Sequence, residues 1–326
     1  MGVIMPSRPM KRILVTGSVG QIGSELTMEL RRLYGNEKVI ACGHKTQPIK
    51  ELRESGPFYF LDVKDKKELK IIVKHYDIDT IYNMAAILSA SGEQNPQLCW
   101  EVNINGFVNV LEVAHEYELG RVINPSSIAV FGPQTPRDNT PTDTVLQPTT
   151  MYGVTKVAGE LLGDYYFRRF GLDVRGVRLP GVVSYKTLPG GGTTDYAVAI
   201  FYEAIKHKSY KCFVREDTVL PMMYMPDTLK ALIDIANAPL GKLKHHCNFN
   251  VGAMSFSAGE LAAEIKKHIP EFKVTYEPDF RQAIADSWPR SVDDSVARAE
   301  WGWSPRYNLE RMTEDMIEKL REKLLG

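Results

Sequence analysis

At 326 residues, 44% of them hydrophobic, the chain is long enough to bury a large core as one domain or one and a half. Its 40 basic residues balance 40 acidic ones, so a formal charge of zero offers no electrostatic case for nucleic acid or an anionic membrane as partner. No apolar run reaches the length of a membrane span, no secretory signal is visible, and Cys42, Cys99, Cys212 and Cys247 lack CxxC spacing, which argues against a zinc site or disulfide framework and for a reducing compartment.

Residues 1–10 read as a flexible start, a short organelle-targeting segment being the other reading. Next, Ile13, Leu14 and Val15 form a short apolar run, Gly17, Gly20 and Gly23 follow, and Ile22, Leu26 and Leu30 recur at helical spacing. Strand, tight turn and helix in this order suit a dinucleotide: the first glycine permits the turn, the second admits a pyrophosphate, and the third lets helix lie on strand. The helix N-terminus then faces the phosphates. Taken alone, the glycines are equally those of a plain tight turn.

Residues 38–42 predict a second strand, after which a dinucleotide fold usually places an acid on the adenosine ribose. His44 and Lys45 stand there instead, either to hold a 2′-phosphate or as solvated loop residues. A third strand ends at Asp62 and Val63, where a carboxylate and a backbone N–H can bracket an adenine. A polar helix over 66–75 leads to a fourth strand over 80–86, whose small Ala85 and Ala86 leave room for a ligand across the strand ends. Strands alternating with helices predict a parallel, doubly wound sheet.

A helix over 96–117 precedes a fifth strand, 121–125, with Ser126 and Ser127 at its carboxyl end, the edge where open α/β sheets bind ligands. A Pro- and Thr-rich loop, 132–150, leads to a helix on which Tyr152 and Lys156, four residues apart, share a face. A sixth strand is expected over 172–181. The segment SYKTLPGGGTTD then reads as a substrate-covering loop, or as a bland linker, before a helix over 195–206. Further helices are predicted over 226–236, over 257–268 with a Ser257/Glu260 capping box, and over 309–325; a late strand lies in 246–252 and a sharp turn at 287–289. The fold class is thus α/β, a Rossmann-type doubly wound parallel sheet over 11–180 with a smaller mixed C-terminal substrate lobe over 181–326, some segments of which return to the first domain.

Oxidising a secondary alcohol with a nicotinamide requires a base for the hydroxyl proton and a group that orients the oxygen. Tyr152, Lys156 and Ser127 are a minimal set. A free tyrosine ionises near pH ~10, and an ammonium one helical turn away is expected to lower that value. Tyr and Lys at this spacing also occur on ordinary helix surfaces; the glycine turn and the serine after strand five make the combination informative.

In this order and separation, TGSVGQIG, NMAA, PSSIAVFG and YGVTK resemble the extended short-chain dehydrogenase/reductase superfamily over essentially the whole chain. Within it, LSASGEQNP, YGVTKVAGELLGDYY, LPGGGTTDYAV and ADSWP followed by DDSVARAEWGW are similar to the epimerase-like, short-chain-type L-threonine 3-dehydrogenases, PGGGTTDYA being the most specific. The resemblance implies NAD rather than NADP as oxidant, L-threonine as small-molecule substrate, 2-amino-3-oxobutanoate as product, and a homodimer. It implies no metal, no secretion, and a mitochondrial matrix location in a eukaryote or a cytoplasmic one in a bacterium. Carried over, Tyr152 is the base, Lys156 its pKa-lowering partner and Ser127 the orienting hydroxyl. Ser89, Ser126, Gly192, Thr193, Thr194 and Trp288 surround the amino acid. Gly17, Gly20, Gln21, Ile22, Gly23, His44, Lys45, Asp62, Val63, Met84, Ala85, Ala86, Leu179 and Val182, with Tyr152 and Lys156, fall on the cofactor. The acid that the family often carries after strand two is missing, and Ser-Ser replaces its frequent Ser-Thr after strand five.

The Tyr152 helix also bears Val157, Leu161, Leu162, Tyr165, Tyr166, Phe167 and Phe170, a wider apolar arc than one sheet face covers, so a four-helix dimer interface with the Phe107 helix is expected; a thick monomer core is the alternative. His245, His246 and Cys247 are read as bystanders, because strand neighbours point to opposite faces. Sugar-nucleotide epimerases and dehydratases share the fold and the Ser, Tyr and Lys. Dehydratases need an acid near the serine, which Ser127-Ile128-Ala129 does not offer; a 4-epimerase would retain its NAD. A non-catalytic cofactor sensor is the reading from another class, disfavoured by retention of both Tyr152 and Lys156.

Overall fold

A computed structural model of the chain describes residues 9–188 and 190–325, so most of the expected flexible start, residues 1–8, lies outside the described residues. The first half contains β1 (Ile13–Thr16), α1 (Gln21–Tyr34), β2 (Val39–Gly43), α2 (Lys50–Glu54), β3 (Phe58–Phe60), α3 (Lys66–Tyr76), β4 (Thr80–Asn83), α4 (Ser89–Gln94), α5 (Pro96–Trp100), α6 (Gly106–Glu116), β5 (Arg121–Ile123), β6 (Ser126–Ser127) and α7 (Met151–Phe170). The second contains β7 (Val174–Arg175), β8 (Val177–Leu179), β9 (Gly181–Val183), α8 (Tyr196–His207), β10 (Ser209–Cys212), β11 (Val219–Tyr224), α9 (Met225–Asn237), β12 (Phe249–Asn250), β13 (Met254–Ser257), α10 (Ala258–His268), β14 (Lys273–Tyr276), α11 (Arg281–Asp286), α12 (Ser295–Trp301) and α13 (Leu309–Leu325).

Six strands form one parallel sheet in the order β3-β2-β1-β4-β5-β7. The order reverses between β1 and β4, which opens a crevice at their carboxyl ends. Alternation along β1 explains why both faces are covered: Leu14 joins Leu69, Ile72 and Leu111 on one side, and Ile13 and Val15 join Leu26 and Leu30 on the other. Leu232 and Ile235 of α9, together with Trp303, belong to the second cluster, so late segments return to the sheet.

Three expected elements are broken up, and each break has a cause. The strand expected over 172–181 is β7, β8 and β9, which pair in turn with β5, with β6 and β12, and with β11; Pro180, lacking an N–H, stands at the last junction. The strand expected over 121–125 stops at Ile123, and after Pro125 the two serines form β6 against β8. The helix expected over 96–117 contains a π-helical turn, Glu101–Asn105, between α5 and α6, and Asn103 of this turn grips Ile87 through both its backbone N–H (2.8 Å) and carbonyl (3.1 Å). The third and fourth strands also end early, at Phe60 and Asn83, which leaves Asp62, Val63, Ala85 and Ala86 in loops.

Around β9, β11 and β13, a second core gathers α8, α10 and α13. The capping box of α10 is present, Glu260 N–H donating to Ser257 Oγ at 3.0 Å and Ser257 N–H to Glu260 Oε2 at 2.6 Å. The four cysteines are free and buried. His245 bridges Glu300 (2.6 Å) and Asp143 (3.1 Å), whereas His246 stacks on Phe167. Among the described residues no group of His, Cys, Asp and Glu could hold a metal ion, and no helix is long and apolar enough to cross a membrane.

Candidate active site

The turn after β1 closes on itself. Gly17 has φ of +61°, and a Cβ on it would stand 2.6 Å from the backbone of Met84 and Ala85; a Cβ on Gly23 would overlap the Gly17 carbonyl. Beside this turn α1 begins with no acidic residue in its first turn, so the partial positive charge of its N-terminus is left uncompensated by the helix itself. Ser18 Oγ and Gln21 Nε2 are buried there without a hydrogen-bond partner among the described residues. A cradle too tight for a side chain, with donors left over, fits the phosphates of a dinucleotide.

From this turn an open cleft of about 830 Å³ runs under the strand ends. Gln21, Ile22, Met84, Ala86, Leu179 and Val182 line it, and so do Ser89, Ser126, Ser127, Tyr152, Lys156, Gly192, Thr193, Thr194 and Trp288. Thus the expected substrate and catalytic residues, separated widely in sequence, meet in one space. Gly17, Gly20, Gly23 and Ala85 lie behind its wall, in the turn and the β4 loop. His44, Lys45, Asp62 and Val63 lie farther along the sheet edge: His44 and Lys45 are exposed, His44 Nε2 is 3.4 Å from Asp62, and the Val63 side chain is buried against Gly106.

Tyr152 stands in the first turn of α7, whose start is secured by Thr150 accepting from Gly153 N–H at 3.0 Å and by Glu93 accepting from Met151 N–H at 2.7 Å. Lys156 Nζ lies 5.4 Å from the centre of the Tyr152 ring and donates to the Pro125 carbonyl at 2.7 Å. Here the structure corrects one expectation. Enclosure pushes the Tyr152 phenol up to about 12, the neighbouring Ser127 hydroxyl offsetting part of the rise, and the same enclosure pushes Lys156 down to about 8. Desolvation penalises both charged forms, and the lowering of the phenol expected from the ammonium does not emerge.

Ser126 carries a tie that the sequence did not suggest. Its hydroxyl donates to Glu160 Oε1 at 2.5 Å, and Glu160 is held by Arg178 through two contacts of 2.8 Å, so its proton is committed inside the protein while the residue still lines the cleft. Ser127, next in line, remains on the cleft, its Oγ accepting from Ala129 N–H at 3.2 Å.

Across the cleft, Ser89 Oγ lies 3.0 Å from Thr193 Oγ1 and accepts from Thr193 N–H at 3.2 Å, which joins α4 to the glycine-rich loop. Asp195 Oδ2 accepts from Gly191 N–H at 2.9 Å and Gly192 N–H at 2.8 Å, so the loop folds around this carboxylate; burial pushes its pKa up. Asp195 and Lys156 are the charged side chains on the described lining. Sequence reasoning missed Asp195 as a site residue and used it only as a helix start, although its place at the end of GGGTTD was a signal. Glu160 also carried one, four residues after Lys156. Asn103, which donates to Thr155 Oγ1 at 3.1 Å beside the catalytic helix, carried none.

Comparisons agree with this geometry. The model of the "NAD dependent epimerase/dehydratase family" matches residues 13–252. A Staphylococcus haemolyticus protein described as an uncharacterized epimerase/dehydratase is 48% identical over 315 residues, 96% of this chain and 99% of its own. The X-ray structure of L-threonine dehydrogenase from Clostridium difficile superposes with a TM-score of 0.95 at 53% identity, covering 98% of this chain and 100% of that one. A monomeric L-threonine 3-dehydrogenase from a metagenome superposes with a TM-score of 0.92 at 47% identity, covering 95% and 99%. With a Rossmann-like parallel sheet, a glycine turn at its crevice and Ser127, Tyr152 and Lys156 in one cleft, the chain belongs to the NAD-dependent epimerase/dehydratase family of extended short-chain dehydrogenases/reductases, and its solved neighbours are L-threonine 3-dehydrogenases.

Proposed function

We propose that the chain oxidises the 3-hydroxyl of L-threonine to L-2-amino-3-oxobutanoate with a nicotinamide dinucleotide, NAD being the form that the family's description names. The observation that carries this reading is the convergence of Ser127, Tyr152 and Lys156 with the Ser89/Thr193 contact and Asp195 on one cleft. The Tyr152 oxygen takes the proton of the substrate hydroxyl, and Ser127 Oγ donates to the same substrate oxygen, fixing its direction. Lys156, its Nζ 5.4 Å from the Tyr152 ring centre, shares with Tyr152 the first proton the pair gives up, and would donate toward the ribose of a bound nicotinamide. A nicotinamide held in the cleft would supply the acceptor for the hydride from C3, which balances the oxidation of alcohol to ketone.

The small polar wall suits a zwitterion. Asp195, the carboxylate on the cleft wall, is the acceptor for the substrate ammonium, while hydroxyls of Ser89, Thr193 and Thr194 receive the carboxylate and Trp288 closes the apolar side. Gly17, Gly20, Gln21, Ile22, Gly23, Met84, Ala85, Ala86, Leu179 and Val182 hold the dinucleotide. A sugar-nucleotide 4-epimerase is the second reading, favoured by the family description alone. The purified chain mixed with NAD and L-threonine is expected to form reduced nicotinamide, and not with D-threonine; interconversion of a UDP-sugar without net reduction would overturn the reading.

A homodimer is part of the proposal. Val154, Leu161 and Tyr165 of α7 lie on one helical stripe and are exposed, Leu161 at 65% and Tyr165 at 54%, with Trp100 of α5 exposed at 41%. Of the arc expected to form a dimer interface, Val157, Leu162, Tyr166 and Phe167 pack inside the chain, as does Phe107, so the pairing surface that remains is this narrower stripe with Phe170.

A further inference from the structure

Three consecutive residues at the cleft are each tied to one side chain of α7. The Pro125 carbonyl accepts from Lys156 Nζ at 2.7 Å, Ser126 Oγ donates to Glu160 Oε1 at 2.5 Å, and the Ser127 hydroxyl neighbours that of Tyr152. Two of these ties engage groups that the proposed chemistry draws on, Lys156 and Tyr152, and must change as protons move. The middle one engages Glu160, one helical turn beyond Lys156, whose carboxylate is buried in the protein interior. It can therefore hold through turnover.

Glu160 is itself fixed from a third element. Arg178 of β8 stands opposite Ser126 in the β6–β8 ladder and donates Nε to Glu160 Oε1 and Nη2 to Oε2, both at 2.8 Å. Arg178 Nη1 donates to the Thr142 carbonyl at 2.6 Å and to Asn250 Oδ1 at 3.3 Å, and Asn250 Nδ2 donates to the Thr140 carbonyl at 2.9 Å. Helix, strand pair and the loop over 132–150 thus meet around one carboxylate. A buried ion pair adds little net stability over an apolar pair of the same shape, because desolvation offsets the attraction. What a bidentate pair adds, and apolar packing does not, is direction. Direction matters at this place, since a misplacement on the order of 1 Å costs a reacting pair about a hundredfold in rate.

We propose that Glu160 is a positioning residue: held by Arg178 and gripping Ser126, it sets the place of Ser127 on β6 relative to Tyr152 and Lys156 on α7. The inference rests on the oxidation proposed above, and its test separates the two. Steady-state kinetics with NAD and L-threonine compare the unaltered chain with Ser126→Ala, Glu160→Gln and the double variant, each checked for its fold by circular dichroism. Ser126→Ala deletes one hydroxyl and leaves the Glu160–Arg178 pair intact. It is expected to lower kcat about tenfold while both KM values stay within about twofold. Glu160→Gln breaks the bidentate pair as well and is expected to lower kcat further. The double variant is expected to be no slower than Glu160→Gln alone, because a tie between two residues can be lost only once. A folded Ser126→Ala with unchanged kcat, a loss that falls on the KM for threonine alone, or losses that add in the double variant would overturn the positioning role and leave the oxidation standing. An unaltered chain inert toward L-threonine would overturn both. Should Glu160→Gln fail to fold, the split between kcat and KM in Ser126→Ala decides.

Discussion

Two regions along the carboxyl edge of the sheet are built on opposite principles. Around Ser127, Tyr152, Lys156 and Asp195 the polar groups are enclosed and tied to backbone or to each other, Lys156 to Pro125 and Asp195 to two loop N–H groups. Around His44, Lys45 and Thr46 the side chains stand in water with few partners. Enclosure shifts proton affinities and holds geometry, which proton and hydride transfer require. Exposed charge does neither. Substitutions in the first region should therefore act on turnover, and those in the second should change it little.

The largest expected effect is at the enclosed end. Tyr152→Phe removes the proton acceptor and keeps the ring, so kcat is expected to fall at least about a hundredfold with dinucleotide affinity within about twofold; retention of a tenth of the activity would break the assignment of Tyr152 as base. The pH profile follows in size. With Lys156 brought down to about 8 and Tyr152 raised to about 12, the pair gives up its first proton near pH 8. Phenolate with ammonium, and phenol with neutral amine, then hold the same number of protons and grow together. Oxidation should accordingly rise about tenfold per pH unit on the acid side of that value and level off above it. Single-turnover rates that stay flat from pH 6 to 9 would remove the pair from the chemical step.

Smaller effects test the walls. Thr194→Ala and Asp195→Asn are expected to raise the KM for threonine on the order of tenfold, while the KM for the dinucleotide stays within about twofold. The reverse split would move both residues out of the substrate shell. Smallest in turnover, and clearest in size, is Leu161→Glu on the exposed stripe of α7. It is expected to convert a sedimenting dimer into a monomer with most of the activity retained, and an unaltered chain that already sediments as a monomer would return the stripe to solvent.

Much of this cleft was legible before any fold was known. The glycine turn can be read because its conformations are local, and so can Tyr152 and Lys156, because a helical period alone puts them on one face. Length, spacing and punctuation likewise located α13 at its observed bounds and the α10 capping box. The segment 172–181 was misread as one strand, since its apolar residues do not say that three partners divide it.

The sequence by itself determined which groups are present and which of them are one turn or one strand apart. Tertiary structure decided what each group is free to do. Ser126 and Ser127 both reach the cleft, but Glu160, 34 positions from Ser126 and clamped to Arg178, takes the hydroxyl proton of Ser126 and not that of Ser127. Ser89 meets Thr193 across 104 positions, which makes a wall out of two loops. The direction of the Tyr152 and Lys156 shifts was decided in the same way, because burial is a property of everything packed around a residue and no spacing along the chain encodes it.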